Sequence, residues 1–166
     1  TLIMNSENNP QIIKSIAFKR GITVITVHSN RMLGAYGFLS KVFEIFNKYK
    51  TSVDLVTTSE VSVSMTILEI KNLTNIVEDL QDFGLITTSQ DNSSISLIGE
   101  GITHVSGIAA KVFGALKGIN VSMVSVGASE VNLSMVVRDN ELEAAVKALH
   151  TEFFETESYP EVFETI

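Results

Sequence analysis

A repeat with fixed spacing restricts this chain more than any other feature. "GFLSKVFEIF" at 37–46 answers "GIAAKVFGAL" at 107–116, and "SEVSVSM" at 59–65 answers "SEVNLSM" at 129–135. Residue 107 stands 70 after residue 37, and residue 129 stands 70 after residue 59. One offset held over two separate stretches means two copies of a single folding module in tandem. With 166 residues the chain has room for both, and it can bury roughly 70% of its unfolded surface without disulfides or metals.

Hydrophobic periods fill in each copy. "GITVITVHS" and "SSISLIGE" alternate and are rich in β-branched residues, as strands should be. Each leads through a glycine-containing loop to a helical spacing: Phe38, Leu39, Val42, Phe43 and Phe46 in the first copy, Ile108, Val112, Ala115 and Leu116 in the second. The segments "SVDLVTT" and "SVSMTIL" then read as a strand pair, as do "VSMVSV" and "NLSMVV", each pair turning near Ser-Glu. A second helix follows in each copy. Leu73, Ile76, Val77 and Leu80 share one face between Asn72 as cap and Gly84 as stop, and Leu142, Ala145, Val146 and Leu149 share another.

The order β-α-β-β-α lacks one strand of the split βαβ arrangement, a ferredoxin-like βαββαβ unit with helices on one face of an antiparallel sheet. Copy one finds that strand in "LITTSQD" at 85–91. Copy two has only the acidic "ETESYPEVFETI", broken by Pro160, after its second helix. The unassigned strand is "IKSIAFK" at 13–19, so it is expected to complete copy two's sheet, with copy one inserted into copy two. The α+β fold is thus divided into one module at 21–92 and another at 13–20 plus 93–155, with 1–12 as a leading linker and 156–166 as a tail.

Composition removes whole classes of function. The formal charge of −7 repels phosphate backbones and anionic lipid, and no apolar run approaches the ~18 residues of a membrane span, so neither nucleic acid nor membrane is an expected partner. There is no cysteine, which excludes thiolate chemistry and cysteine-ligated zinc and fits a cytoplasmic setting. His28, His104 and His150 have no metal-binding spacing, and "GEGITHVSG" lacks the full spacing of a phosphate-binding glycine loop, so no metal site is expected. An RNA-recognition fold shares the strand order, but "SISLIGE" and "SVDLVTT" offer neither exposed aromatics nor a basic face. Arg31 alone does not make an acyl-phosphatase-like anion loop.

Two passages, "ITVHSNRMLGAYGFLSKVFEIFNKYKTSVDLVTTSEVSVSM" and "SISLIGEGITHVSGIAAKVFGAL…VSMVSVGASEVNLSMVV", closely resemble the first and second ACT domains of aspartate kinases, particularly the lysine-sensitive type. The resemblance covers residues 13–155. It implies two ACT domains forming a regulatory region that binds an end-product amino acid, lysine in the first place and threonine as the alternative, and that feedback-inhibits an ATP-dependent aspartate kinase. It also implies pairing of ACT domains into a homodimer, and it makes "TLIMN" the end of a linker from a catalytic domain that would carry the ATP and Mg chemistry. This segment by itself would need no cofactor and have no catalytic residue. A free-standing amino-acid sensor and the regulatory part of a kinase fused to homoserine dehydrogenase are the alternatives.

Elementary chemistry asks for the same kind of site. Burying a zwitterion requires a carboxylate for its ammonium and N–H groups for its carboxylate. Asp54 and Glu60 are candidate counter-charges, and the loop "NRMLGAYGFL" opens a helix whose free N–H groups favour an anion, with Gly34 and Gly37 permitting close approach. Taken alone, Asp54 reads more readily as a solvated edge-strand carboxylate than as a ligand and Glu60 more readily as a turn residue, and it is the extended resemblance that reverses this order. By resemblance the family's effector contacts carry onto Met32, Phe38 and Leu39 of the loop and Ser52, Val53, Asp54, Thr58, Ser59 and Glu60 of the hairpin. The loop departs from some lysine-sensitive members at Gly34 and Ala35, where they have histidine and serine. In copy two, Ser122 or Met123 stands near the position of Asp54, so one effector site per chain is expected.

Overall fold

Alternation of apolar residues with serine and threonine commits this chain to a sheet with two dissimilar faces. In the computed structural model, which describes residues 12–155, six strands join in one antiparallel sheet. They are β1 (Ile13–His28), β2 (Val56–Thr58), β3 (Ser62–Ile67), β4 (Leu85–Gly99), β5 (Met123–Ser125) and β6 (Asn132–Arg138), in the order β2-β3-β1-β4-β6-β5. Four helices accompany them: α1 (Phe38–Lys48), α2 (Leu73–Leu80), α3 (Ile108–Ala115) and α4 (Leu142–His150). The fold is α+β. The expected linker and tail, apart from Ile12, lie outside the described residues.

Two strands read from sequence as separate prove continuous. Segments 13–19 and 21–28 are one strand, as are 85–91 and 93–99, so the two modules share a sheet rather than building one each. The N-terminal part of β1 pairs with the C-terminal part of β4 (Ile16 with Leu97, Phe18 with Ile95), while its C-terminal part pairs with β3 and the start of β4. The join is a pair of bulges. Register shifts between Lys19 and Val24 coincide with Gly21 at φ 68° and Asp91 at φ 57°, and a bulge of this kind bends a strand and sharpens its twist. The buried Asn92 amide donates to the carbonyls of Ser89 (2.8 Å) and Gln90 (3.1 Å), and the Arg138 guanidinium donates to Gln90 O as well (3.1 Å), so side chains take up carbonyls of the kinked backbone.

Each module has its own core on the helical side of the sheet. Ile25, Val27, Val63, Met65 and Ile67 meet Phe38, Val42 and Phe46 of α1 and Ile76 and Leu80 of α2. Ile13, Ile95, Leu97, Leu133, Met135 and Val137 meet Val112 of α3 and Leu142, Ala145 and Leu149 of α4. At about 1.5–3 kcal/mol per fully buried aliphatic side chain, these two clusters dominate the folding energy. A third cluster lies on the opposite face, where Ile22, Val24, Met123 and Val136 pack with Leu55. It draws the two ends of the sheet together, so that β2 and β5, at opposite edges, touch. The sheet therefore curls, and its inner face becomes the boundary between the modules.

The repeat survives in hydrogen bonds as well as in sequence. Thr26 and Ser64 hydroxyls bond across the inner face at 2.8 Å, and so do their repeat counterparts Ser96 and Ser134. Ser29 N donates to Val61 O at 2.8 Å, and Gly99 N to Val131 O at 2.9 Å. The shared Ser-Glu-Val is a turn device: the hydroxyl of Ser59 accepts from Val61 N and that of Ser129 from Val131 N. Asn72 stands at the start of α2 without capping it through its side chain, which donates instead to Tyr49 O at 2.9 Å. α2 ends at Leu80 with Gln81 as its C-cap, short of the expected stop at Gly84; glycine is required at 84 for a steric reason instead, since a Cβ there would lie 2.1 Å from the His28 carbonyl oxygen.

Candidate functional site

The expected effector residues fall into two groups at the two ends of β2. At one end, Ser29 begins the loop into α1 and is bonded to Val61 in the β2–β3 turn, so the loop of Met32 lies beside the turn of Ser59 and Glu60. Met32 and Val53 are half-buried against the module-one core that contains Phe38, while Leu39, Ser52, Thr58, Ser59 and Glu60 are exposed. Phe38 sits edge-on to Phe83 with ring centroids 5.9 Å apart. The Ser59 hydroxyl is engaged within the turn, accepting from Ser62 N at 3.1 Å and pairing with the Ser62 hydroxyl at 2.7 Å.

Asp54 is at the other end. The chain between it and Ser59 is extended and spans about 16 Å at ~3.3 Å per residue. Its backbone N–H donates to Thr66 O at 3.0 Å, and the next N–H, of Leu55, is taken by the Thr66 hydroxyl at 2.9 Å. The Asp54 carboxylate faces the other module. It lies in a cleft of about 210 Å³ between the modules, bounded by Lys19, Ser94 and Ser134 on one side and by Leu55 and Thr66 on its own. Its partner there is Lys19, with Nζ 2.8 Å from Oδ2, and both side chains are about half exposed.

The counterpart in module two is now fixed. Ser122 N donates to Val136 O at 2.8 Å, as Asp54 N does to Thr66 O, and Val136 is the repeat counterpart of Thr66. Ser122 therefore holds the place of Asp54, and Met123 that of Leu55, both of the latter joining the third cluster. No carboxylate stands at that point of module two.

The loop offers a second concavity. Arg31, Ala35, Tyr36, Phe38, Lys41, Asp82 and Phe83 surround a pocket of about 220 Å³ at the start of α1. The Arg31 guanidinium donates to Asp82 O at 3.3 Å, and Tyr36 is fully exposed. Gly34 and Gly37 adopt φ of 68° and 74°, with nothing within 4 Å of where a Cβ would be. Both therefore adopt the left-handed backbone that favours glycine, and the space beside them is open. Arg31, Lys41, Asp82 and Phe83 were not expected from sequence, although the pairing of Lys41 with Lys111 in the repeat pointed to the second of these. Among the described residues no group of three or more His, Asp or Glu side chains gathers as a metal site, and no helix is long and apolar enough to cross a membrane.

Known proteins share this architecture. A family described as ACT domain matches residues 95–153. Aspartokinase 3, chloroplastic, of Arabidopsis thaliana is 43% identical over 99% of this chain and 31% of its own. A chain described as a C-terminal regulatory domain of aspartate kinase from Porphyromonas gingivalis W83 superposes with a TM-score of 0.77 at 42% identity, covering 86% of this chain and 99% of that one. Escherichia coli aspartokinase III, solved in complex with lysine and aspartate, superposes with a TM-score of 0.80 at 33% identity over 92% of this chain and 35% of that one. The chain spans about a third of the length of the curated relatives it matches.

Proposed function

The chain belongs to the aspartokinase regulatory family built from ACT domains, and on that footing we propose that it senses an end-product amino acid and feedback-inhibits an aspartate kinase. The segment it matches in its relatives is regulatory, not catalytic. In this reading the parent protein phosphorylates aspartate with ATP and Mg in a separate domain, in the biosynthesis of lysine, threonine and methionine. Lysine is the favoured effector, because the 33%-identical Escherichia coli enzyme was solved with it, and threonine is the alternative. The observation that carries the proposal is Asp54: a carboxylate in an open cleft of module one, with serine at the same point of module two.

A second copy of the chain would bring the two groups of effector residues together. β2 is hydrogen-bonded to β3 alone; β5 of the same chain touches it without pairing, and an edge whose backbone is left unpaired is a template for pairing. Antiparallel pairing of two β2 strands about a two-fold axis sets the start of each beside the end of the other. Asp54 of one copy then approaches Ser59 and Glu60 of its partner, and their separation within one chain ceases to matter. We therefore place the effector in a homodimer of module-one sheets, acting in whichever compartment holds the parent enzyme, the cytoplasm in the first instance.

The test is calorimetry of lysine, threonine and methionine on this chain, with sedimentation equilibrium alongside. The expected result is a saturable lysine heat at one site per chain on a dimer. Threonine heat without lysine heat would change the effector; no heat from any of the three would end the proposal.

A further inference from the structure

Resting on the reading that an amino-acid ammonium is held at Asp54, we propose that Lys19 is a built-in competitor for that position. Its ε-ammonium holds the carboxylate in this structure, and the effector's ammonium displaces it. Lys19 and the groups an effector would bring are the same chemical species, a primary ammonium, so an internal side chain makes the contact the ligand would make. The pair bridges the modules: Asp54 precedes β2 in module one, whereas Lys19 lies in the part of β1 that pairs with Ser94 of module two.

Three features make the exchange feasible. Both side chains are about half exposed, 50% and 45%, so water screens the pair and releasing Lys19 strands no buried charge. The cleft around it has about 210 Å³ of free space and is lined with the hydroxyls of Thr66, Ser94 and Ser134, which can solvate an entering ammonium. Finally, Lys19 sits at the bulge where β1 passes from one module to the other, with Gly21 close behind it. Exchange leaves the charge at Asp54 balanced while removing one tie between the modules, so effector binding is linked to how firmly they are held.

The repeat shows that the fold itself does not need this pair. Val24 is opposite Ser89, and its repeat counterpart Ser94 is opposite Lys19, so Ser89 is the module-one counterpart of Lys19. The positions matching Lys19 and Asp54 are thus Ser89 and Ser122, two serines, in an otherwise parallel arrangement.

Calorimetry with lysine on the wild-type chain, Lys19→Met and Lys19→Arg tests the idea, with threonine substituted if threonine is the amino acid that gives heat. Removing the competitor should tighten binding about two- to fivefold, the range expected for a half-exposed ion pair, whereas Lys19→Arg should leave affinity close to wild type. In the wild-type chain, the NMR signal of the Lys19 εCH2 group should move toward that of a solvated lysine as the amino acid saturates. Unchanged affinity in Lys19→Met together with a static Lys19 signal would overturn the competitor while leaving the effector site intact. Weaker binding in Lys19→Met would also overturn it, making Lys19 a positioning residue for the ligand. No heat in any variant would sink this inference and the effector reading together.

Discussion

Module one and module two carry the same pocket in different states. Ala35, Tyr36, Phe38, Lys41 and Phe83 line the first; their repeat counterparts Val105, Ser106, Ile108, Lys111 and Phe153 line the second. The first holds about 220 Å³ and the second about 80 Å³. The two differ in the strand that completes each sheet. In module two Ile12 and the first residue of β1, Ile13, lie over the pocket, and Ile13 is 2% exposed opposite Gly99. In module one β4 starts with Leu85, which is exposed, and Gly84 just before it is pressed against the carbonyl of His28. One backbone plan thus yields a nearly filled core in one copy and an open concavity in the other, and the difference accompanies a buried Ile13 at the head of β1 against an exposed Leu85 at the head of β4.

The largest effect should come from unsealing module two. Ile13→Ala removes a buried aliphatic side chain and leaves its cavity, a loss of about 2–5 kcal/mol in urea unfolding with an unchanged m-value. Leu85→Ala, at the start of β4 but 70% exposed, should fall within about 0.5 kcal/mol of wild type. Equal losses from the two would mean that the two strand starts are not packed as differently as described.

Next comes the contrast between Asp54 and Ser122. An effector enclosed between two copies, unlike the screened Lys19, makes a shielded contact with Asp54, and breaking one side of such a contact costs about 2 kcal/mol at the low end. Asp54→Asn should therefore weaken the effector about 30-fold, and Ser122→Ala should leave affinity almost unchanged. In a full-length parent enzyme the first change should give resistance to feedback at concentrations that inhibit the wild type. An Asp54→Asn chain that binds within threefold of wild type would remove Asp54 from the site.

Gly84→Ala tests the close approach just before β4 in module one. A Cβ would meet the His28 oxygen at 2.1 Å, and a backbone atom cannot yield as a side-chain end can. The expected cost is about 1–3 kcal/mol, as for overpacking elsewhere, read as a lower urea midpoint. Gly99→Ala should behave alike, since its Cβ would meet the Ile12 oxygen at 1.9 Å. Retained stability in Gly84→Ala would show that the approach of β1 to β4 can relax.

Much of this difference was legible in sequence, and some was not. The constant repeat offset carried the strand and helix order, because Val42, Phe46, Val112 and Leu116 recur at helical spacing and remain buried in the fold. Pairing of segment 13–19 with 94–99 followed from counting strands. The continuity of β1 through Arg20 and Gly21 did not, because a glycine beside two cations reads as a turn, and Asn92 and Arg138, whose side chains brace the bulge, lie far along the chain. Lys19 escaped notice for the same reason. It is distant from Asp54 in sequence and carries no spacing signal, and the two meet only because the sheet curls over Ile22, Val24 and Val136. Ser59, expected as an effector contact, also has a turn role, which its recurrence at 129 reflects.

The smallest effect separates the modules at their helices. Lys48 of α1 lies 2.6 Å from Asp79 of α2, and the Tyr49 hydroxyl donates to the same oxygen at 3.0 Å. By the repeat offset, module two has Gly118 in the place of Lys48. Aligning the second helices through Leu73 with Leu142, Ile76 with Ala145 and Leu80 with Leu149 puts Ala148 in the place of Asp79, so only module one is clamped this way. The hydrogen bond from Lys48, then that from Tyr49, holds the Asp79 carboxyl below its ordinary value near 3.8, and the bond to Asp79, followed by that to Tyr49, raises Lys48 above 10.5. A depressed carboxyl contributes stability that is present above its unfolded value and lost as pH falls through the folded one; a raised ammonium contributes stability that is present below its unfolded value and lost as pH rises through the folded one. The urea midpoint of wild type minus that of Asp79→Asn should accordingly be small, positive and flat from about pH 5 to 9. It should shrink below about pH 4 and again above about pH 10.5, and high salt should erode it throughout, because the pair is on the surface. A difference that stays constant down to pH 2 would mean that Asp79 acts through shape alone and that the helices of module one are held, like those of module two, by packing.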